Sequence, residues 1–180
     1  LQNSEAVIAL VDNASLPNLW PIRDRLPALK HVIGVDGARE SDTISWGPLL
    51  ERSSRKFACV DTPAEEPALL VYTSGTTGPP KGALKPQRVL IGNLPGFSHS
   101  HDIFPQSGDL FWSPADWAWT GGLMDALMPT LYHGHPILGY RGRFDPEKAF
   151  HLIEKYAVRN TFLFPTALKM MLKAVPEPKR

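Results

Sequence analysis

The chain has 180 residues, of which 43% are hydrophobic, so it is long enough to bury a core as one domain or one large subdomain. Nineteen basic and eighteen acidic residues leave a formal net charge of +1, which excludes the strong positive field typical of proteins that bind nucleic acid or anionic membranes. The single cysteine, Cys59, excludes an internal disulfide bond and favours a reducing, cytoplasmic location. The apolar runs are short and interrupted, and they predict no membrane span.

Strands and helices alternate along the predicted chain. Short apolar runs bounded by turn residues predict strands, and apolar residues at three- and four-residue spacing predict helices. In the first half of the chain the predicted elements are a strand at 6–11, a helix at 21–29, a strand at 31–35, a helix at 45–50, a strand at 68–72 and an extended segment at 82–85. In the second half they are a helix at 87–97, a strand at 110–113, a helix at 121–131, a strand at 136–140, a helix from 146 and a strand at 161–164. This alternation predicts an α/β fold with a mostly parallel sheet flanked by helices.

The clearest helix begins after Asp145. Aspartate is a favourable N-cap, Pro146 suits the first helical position, and the charge of Glu147 complements the helix dipole. We expect its apolar face to pack on a sheet, and the residues on that face are Ala149, Leu152, Ile153 and Tyr156.

A glycine-rich loop follows the predicted strand at 68–72. Residues 72–82 read Y-T-S-G-T-T-G-P-P-K-G and combine three glycines, four serine or threonine hydroxyls and one lysine. Glycines let backbone N–H groups surround phosphate oxygens, hydroxyls donate further hydrogen bonds, and a lysine adds positive charge. The loop therefore predicts a phosphate site, with an ordinary polar turn as the alternative. The predicted ligands of the ATP phosphates are Thr73, Ser74, Gly75, Thr76, Thr77, Gly78 and Lys81.

A Walker-type phosphate loop is the competing interpretation of this segment. With Gly75 as its first glycine, that pattern requires a glycine at position 80 and a serine or threonine at position 82. The chain has Pro80 and Gly82 there, so the Walker pattern fails.

The order of residues in the loop closely resembles the signature of the adenylate-forming superfamily, which includes acyl-CoA synthetases, adenylation domains and luciferases. The resemblance is weak over residues 1–67 and strong over residues 68–173. It implies that residues 1–180 form part of the large N-terminal AMP-binding domain, with the phosphate loop at 72–82 and the small C-terminal domain absent.

A tryptophan-rich segment, F-W-S-P-A-D-W-A-W-T-G-G at 111–122, is similar to the stretch before the acyl pocket in the acetyl and medium-chain acyl-CoA synthetase branch. Ala118 stands where that branch usually has glycine, and Gly121 replaces a bulkier residue of acetate-activating relatives, so we expect a pocket deeper than acetate needs. Core packing is the alternative for Trp112 and Trp117. The residues that the resemblance places in the acyl pocket are Trp119, Thr120 and Gly121.

Two departures from the family pattern limit what the chain is expected to do. Gln87 stands where relatives often carry a histidine, which leaves the acid specificity open. The 180 residues contain no Tyr-Gly-x-Thr-Glu segment, no Thr-Gly-Asp segment and no C-terminal domain with its lysine. We therefore assign no catalytic residue and predict that these residues alone neither adenylate an acid nor form a thioester.

For the intact enzyme, the resemblance implies a ligase that activates a fatty or other carboxylic acid with ATP and transfers it to coenzyme A. The carboxylate attacks the α-phosphorus to give acyl-adenylate and pyrophosphate, and the CoA thiol then displaces AMP. ATP, CoA and Mg²⁺ held by the ATP phosphates are the implied cofactors. An adenylation enzyme that loads a carrier protein and a non-catalytic remnant remain as alternatives.

Two histidine pairs and one basic segment invite other interpretations. His99 with His101, and His133 with His135, lack a third ligand at a recognised spacing, so we predict no metal site on the protein. Residues 140–143, Y-R-G-R, are too short a basic run to indicate nucleic-acid binding and predict a solvated turn.

Overall fold

The structure, a computed structural model, describes residues 1–73 and 78–177 and divides into two compact units. The first contains Leu1–Thr62 and Tyr72–Ala83, and the second contains Pro63–Val71 and the chain from Leu84 onward. Each unit has its own three-stranded parallel sheet with helices around it. The predicted α/β fold with mostly parallel strands is therefore confirmed.

The first unit is built on strands β1 to β3. The strands pair in the order β1-β2-β3, with Ile8 opposite His31 and Val32 opposite Thr43. The elements of this unit are β1 (Ile8–Val11), α1 (Leu16–Leu19), a 3₁₀ helix (Trp20–Arg25), β2 (His31–Gly34), β3 (Thr43–Ser45) and α2 (Trp46–Glu51). Its core is formed by Ala9, Val11, Leu16, Leu19, Leu26, Leu29, Val32 and Ala38.

The helix predicted at 21–29 differs from the one in the structure. The chain instead forms the four-residue α1 followed by the 3₁₀ helix, and both have a proline in their first turn. Pro17 and Pro21 lack the N–H group that an α-helical ladder requires, which favours two short pieces over one regular helix. Leu26 and Leu29, at the end of the predicted range, lie beyond the 3₁₀ helix and are buried in the core.

Two paired strands frame the glycine-rich loop. They are β4 (Pro67–Thr73) and β5 (Lys81–Pro86), and they form a two-stranded sheet. The main-chain N–H of Gln87 donates to the carbonyl of Glu66 over 2.8 Å, and the N–H of Arg88 donates to the carbonyl of Ala64 over 3.1 Å. These bonds hold together the ends of the pair that lie away from the loop.

The second unit has a sheet of three short strands in the order β7-β6-β8. Phe111 lies opposite both Ile137 and Asn160, and all pairs are parallel. Because neighbouring side chains of a strand point to opposite faces, Phe111 and Trp112 enter different cores. The elements are α3 (Val89–Ser100), β6 (Phe111–Trp112), α4 (Thr120–Gly122), a π-helix (Leu123–Leu127), α5 (Met128–Tyr132), β7 (Ile137–Leu138), α6 (Pro146–Tyr156), β8 (Asn160–Thr161) and α7 (Pro165–Ala174).

Helix α6 confirms its predicted start. The carboxylate of Asp145 accepts a hydrogen bond from the main-chain N–H of Lys148 over 2.7 Å, as expected of an N-cap. Ala149 and Leu152 are buried beside Trp112 and Met171. Tyr156 was wrongly assigned to the buried face: it is the last residue of the helix, it is 44% exposed, and its ring lies under the ammonium of Lys155.

The helix predicted at 121–131 is three consecutive segments with a widened turn in the middle. Pro129 has no N–H to donate back along the helix. The carbonyl of Met124, five residues earlier, accepts a hydrogen bond from the side chain of Asn93 instead. In the π-helix at Leu123–Leu127 the N–H of Met128 donates to the carbonyl of Leu123, five residues earlier, and the side chain of Asn93 supplies the next bond, which Pro129 cannot make.

Candidate functional site

The glycine-rich loop connects β4 to β5. Thr73 is the last residue of β4, Lys81 is the first residue of β5, and the side chains of both are exposed. Gly78 has a φ of +86°, a backbone conformation that glycine adopts without the steric penalty of a side chain. Four of the predicted phosphate ligands, Ser74, Gly75, Thr76 and Thr77, lie outside the described residues. The structure therefore places three of the seven predicted residues, all at the loop end of the strand pair.

The loop end of β4 is anchored within its own unit. The hydroxyl of Tyr72 donates a hydrogen bond of 2.5 Å to the side-chain oxygen of Asn3. Lys81 forms no ion pair with any described residue, so its ammonium is available to an anion. An exposed lysine is a common ligand of phosphate.

Gln87 lies in the turn between β5 and α3. Its main chain supports the strand pair through the bond to Glu66, and its side chain is exposed. The next residue, Arg88, forms an exposed ion pair of 2.9 Å with Glu65. Exposed pairs of this kind contribute little to stability, about 0–1 kcal/mol.

The predicted acyl-pocket segment forms a turn and the first residues of α4. Trp119 has an extended backbone and precedes Thr120 and Gly121, the first two residues of the helix. The indole of Trp119 lies directly over Gly121, and a Cβ atom at position 121 would clash with this ring and come within 3.0 Å of Phe162. The missing side chain of Gly121 therefore accommodates the indole. Thr120 is exposed, so the structure brings Trp119 and Gly121 together and leaves Thr120 at the surface.

The turn that presents Trp119 depends on residues that the sequence did not single out. A Cβ atom on Gly122 would collide with the main-chain carbonyl of Asp116, so only glycine fits there. The carboxylate of Asp116 accepts a hydrogen bond from the N–H of Ala118 over 2.8 Å, and the hydroxyl of Ser113 donates to the carbonyl of Phe162 over 2.8 Å. In the sequence, the two adjacent glycines at positions 121 and 122 could have indicated that the backbone approaches another segment closely here.

The π-helix behind the acyl-pocket segment carries a partly buried carboxyl group. Burial raises the pKa of Asp125, while the charge of His101 and a hydrogen bond from Asn93 oppose that rise in pKa. Both opposing groups come from α3 and the residue that follows it. The carboxyl group is thus held by the helix that follows β5 in the chain.

A cleft of about 550 Å³ opens in the second unit at the carboxyl ends of β6 and β7. We call it the strand-end cleft. Trp119, Thr120 and Gly121 do not line it. Residues 140–143 are exposed, as predicted, but they also form one wall of this cleft, which the sequence did not indicate. The lining consists of residues 112–117 and 138–145 with Lys148, Ala149 and Leu152.

Three histidines of the two pairs, His101, His133 and His135, pack against phenylalanine rings. The ring centroid of His101 lies 4.6 Å from that of Phe97, and the rings of His133 and His135 lie 5.8 and 5.4 Å from that of Phe104. Within residues 1–73 and 78–177, no group of three His, Cys, Asp or Glu side chains could hold a metal ion. Over the same residues, no helix is long and apolar enough to cross a membrane.

The sequence profile that describes AMP-binding enzymes matches residues 1–180. The chain belongs to the AMP-binding enzyme family. Among relatives in this family, acetyl-coenzyme A synthetase of Bacillus subtilis is 31% identical over 179 residues, which cover 98% of this chain and 31% of that protein. The mitochondrial acyl-coenzyme A synthetase ACSM4 of Rattus norvegicus is 27% identical over 175 residues, covering 96% of this chain and 30% of that protein. The chain thus spans about a third of the length of these relatives.

Solved structures of AMP-binding enzymes share the fold. An acyl-CoA synthetase from Brucella canis superimposes with a TM-score of 0.82 at 24% identity, over 96% of this chain and 31% of that one. ATP-bound MatB from Rhodopseudomonas palustris superimposes with a TM-score of 0.73 at 27% identity, over 94% of this chain and 32% of that one. This chain therefore has the fold of about a third of each of these two proteins.

Proposed function

We propose that this chain provides the phosphate-binding strand pair and the acyl-pocket segment of an ATP-dependent acid–CoA ligase. The observation that carries the proposal is the identity of the relatives: the matching proteins of the AMP-binding enzyme family are acetyl-CoA and acyl-CoA synthetases. The strand pair around an exposed lysine and a glycine-rich loop supports it, because this arrangement suits a triphosphate.

The first half-reaction is assigned to the loop. The carboxylate of the acid attacks the α-phosphorus of ATP, the bond to the bridging oxygen breaks, and pyrophosphate leaves. Lys81, Thr73 and the loop N–H groups hold the β- and γ-phosphates and stabilise the negative charge that develops on them. No side chain acts as a base, because the attacking carboxylate is already ionised.

Mg²⁺ in this proposal is bound by the ATP phosphates. The described residues offer hydroxyl and lysine groups at the strand pair but no set of carboxylates that would form an all-protein magnesium site. The ion neutralises phosphate charge, and the chain's own residues orient the nucleotide around it. This division of roles agrees with the exposed, unpaired state of Lys81 among the described side chains.

The acid is proposed to be larger than acetate, such as a fatty acid or another extended carboxylic acid. Gly121 lets the indole of Trp119 lie directly against the start of α4, so the indole, which is 56% exposed, offers an apolar wall to the acid. An apolar acyl chain could pack against the indole and against Phe162. Apolar contact area of this kind selects among chain lengths, at roughly 1–3 kcal/mol for each methylene group.

The test is pyrophosphate release by the protein as its source organism makes it, with ATP, CoA and acids of increasing chain length. We expect release to depend on the acid, a CoA thioester to accumulate, and acids longer than acetate to be preferred. Lys81→Gln should lower the rate roughly 100-fold, as loss of a positive group at a developing charge does. Lys85→Gln, four residues along the same exposed strand, is the matched control and should change it little.

Two results would contradict the proposal. If no acid stimulates pyrophosphate release by the folded protein, the chain is not part of an acid-activating enzyme. If the adenylate forms but only a carrier protein accepts the acyl group, the enzyme belongs to the carrier-loading branch and not to the CoA ligases.

A further inference from the structure

The strand-end cleft has the size and position of a ligand site. Its volume of about 550 Å³ lies within the roughly 300–1,000 Å³ typical of small-molecule pockets. It lies at the carboxyl ends of parallel strands β6 and β7, where open α/β sheets usually bind their ligands. The phosphate loop and the predicted acyl-pocket residues Trp119, Thr120 and Gly121 do not line this cleft, although residues 112–117 of the tryptophan-rich segment do. Its occupant is therefore a separate question.

The charges in the cleft favour an anion. Arg143, in the loop after β7, and Lys148, in the first turn of α6, both line it, and neither forms an ion pair with a described residue. The two carboxylates of the cleft are already engaged: Asp145 accepts from the N–H of Lys148, and Asp116 accepts from the N–H of Ala118. Three cations and two carboxylates line the cleft, which leaves a formal charge of +1, and of these cations Arg143 and Lys148 are the two considered for an anion.

Two aromatic residues, Trp117 and Tyr140, line the same cleft as these cations. The ring of Trp117 lies against Gly139, at 3.2 Å from the position that a Cβ atom would occupy, and the ring of Tyr140 lies against Gly142 in the same way. Trp117 and Tyr140 are nevertheless 39% and 47% exposed, so a ligand can reach them. Exposed rings of this kind stack readily on a planar base.

We propose that the strand-end cleft binds a phosphorylated adenosine: the base stacks on Trp117 or Tyr140, and the phosphate group pairs with Arg143 and Lys148. A planar base joined to a phosphate group can stack on an aromatic ring while its phosphate pairs with the cations. The choice of adenine rests on the proposed function, since both nucleotides of that reaction, ATP and CoA, contain a phosphorylated adenosine. The site differs from the triphosphate loop in its residues and in its unit.

The experiment is direct binding to the 180-residue chain, measured by calorimetry. The ligands are adenosine 3′,5′-bisphosphate, which is the nucleotide end of CoA, together with CoA, AMP and ATP. Arg143→Gln and Lys148→Gln should each weaken binding roughly tenfold, because each removes one charge-assisted contact. Lys169→Gln, an exposed lysine of α7 outside the cleft, is the matched control and should bind as the unchanged chain does.

The series of four ligands distinguishes a site for the nucleotide end of CoA from a site for any adenine nucleotide. If the bisphosphate and CoA bind while AMP and ATP do not, the cleft takes the nucleotide end of CoA; if AMP and ATP bind equally well, it takes a general adenine nucleotide. Lys81→Gln removes the contribution of the phosphate loop, and binding in the cleft should survive it. Because this measurement requires no turnover, failure of the proposed ligase activity would not be mistaken for failure of the cleft.

Three outcomes would overturn the proposal. One is that a folded chain binds none of the four nucleotides. Another is that Arg143→Gln and Lys148→Gln leave the affinity for every nucleotide unchanged. The third is that inorganic phosphate competes as well as the nucleotides do, which would indicate a simple anion site without a place for the base.

Discussion

The side-chain amide of Asn93 donates a hydrogen bond of 2.5 Å to the main-chain carbonyl of Met124, and so joins α3 to the π-helix that follows the acyl-pocket segment. Pro129 cannot supply this partner from within the helix. The amide of Asn93 also favours the ionised form of Asp125 on the same helix. One side chain thus supports both the backbone and the charge of the π-helix.

Replacement of Asn93 should destabilise the second unit. Asn93→Ala leaves the partly buried carbonyl of Met124 without its partner, and we expect a loss of about 1–2 kcal/mol in the free energy of unfolding. Urea unfolding followed by tryptophan fluorescence measures this change. Asn18→Ala is the matched control, because the amide of Asn18 makes only an exposed contact of 3.5 Å with the carbonyl of Ala14. Equal stability of the two variants would contradict the assigned role.

Replacement by alanine should have opposite effects on the free energy of unfolding at two glycines. Gly122→Ala introduces a Cβ atom that collides with the main-chain carbonyl of Asp116, and we expect it to lower the free energy of unfolding by about 1–3 kcal/mol. Gly92→Ala, inside α3, meets no atom within 4 Å and should be neutral or stabilise by up to about 1 kcal/mol. Thermal unfolding of both variants checks the contrast. A tolerated Gly122→Ala would mean that the turn at Asp116 is less closely packed than described.

Gly121 should control the position of the Trp119 indole. Gly121→Ala places a methyl group where the ring now lies, so the ring must move outward. We expect tryptophan fluorescence to become more accessible to iodide, while overall stability falls less than it does in Gly122→Ala, because a side chain can move more easily than backbone. In a Trp119→Phe background the same substitution should no longer change quenching. Unchanged quenching in the original background would show that the indole does not occupy this space.

Asp125 should make stability depend on pH. Burial raises its pKa above the ordinary value of 3.8, so the folded state holds the proton more tightly than the unfolded state does. This contribution stabilises the fold fully below the unfolded pKa and is lost as the pH rises through the folded pKa. Asp125→Asn cannot lose a proton, so its stability relative to the unchanged chain should increase as the pH rises above about 4.

The measurement for Asp125 is the urea midpoint of both proteins from about pH 3 to about pH 7. Asp61→Asn, at an exposed position in a connecting segment, is the control and should track the unchanged chain. Parallel curves for Asp125→Asn and the unchanged chain would contradict the effect of burial. His101 and Asn93 oppose the rise in pKa, so removal of either should enlarge the difference.

The sequence alone determined the features that depend on neighbouring residues. The start of α6 follows from Asp145 and Pro146, whose effects act within one helical turn. The alternation of strands and helices, and the position of the glycine-rich loop between β4 and β5, follow from local spacing and turn residues. The family also follows from the order of residues in that loop, and the match over residues 1–180 confirms it.

Only the tertiary structure decided which distant residues meet. The bond from Asn93 to Met124 spans 31 positions, and the contact between the carbonyl of Phe162 and Ser113 spans 49, so no local pattern reports them. The strand-end cleft likewise forms because parallel pairing brings the loops after β6 and β7 to the same edge of the sheet. Local propensity selects the elements of this protein, but hydrogen bonding and packing between them decide where its side chains form a site.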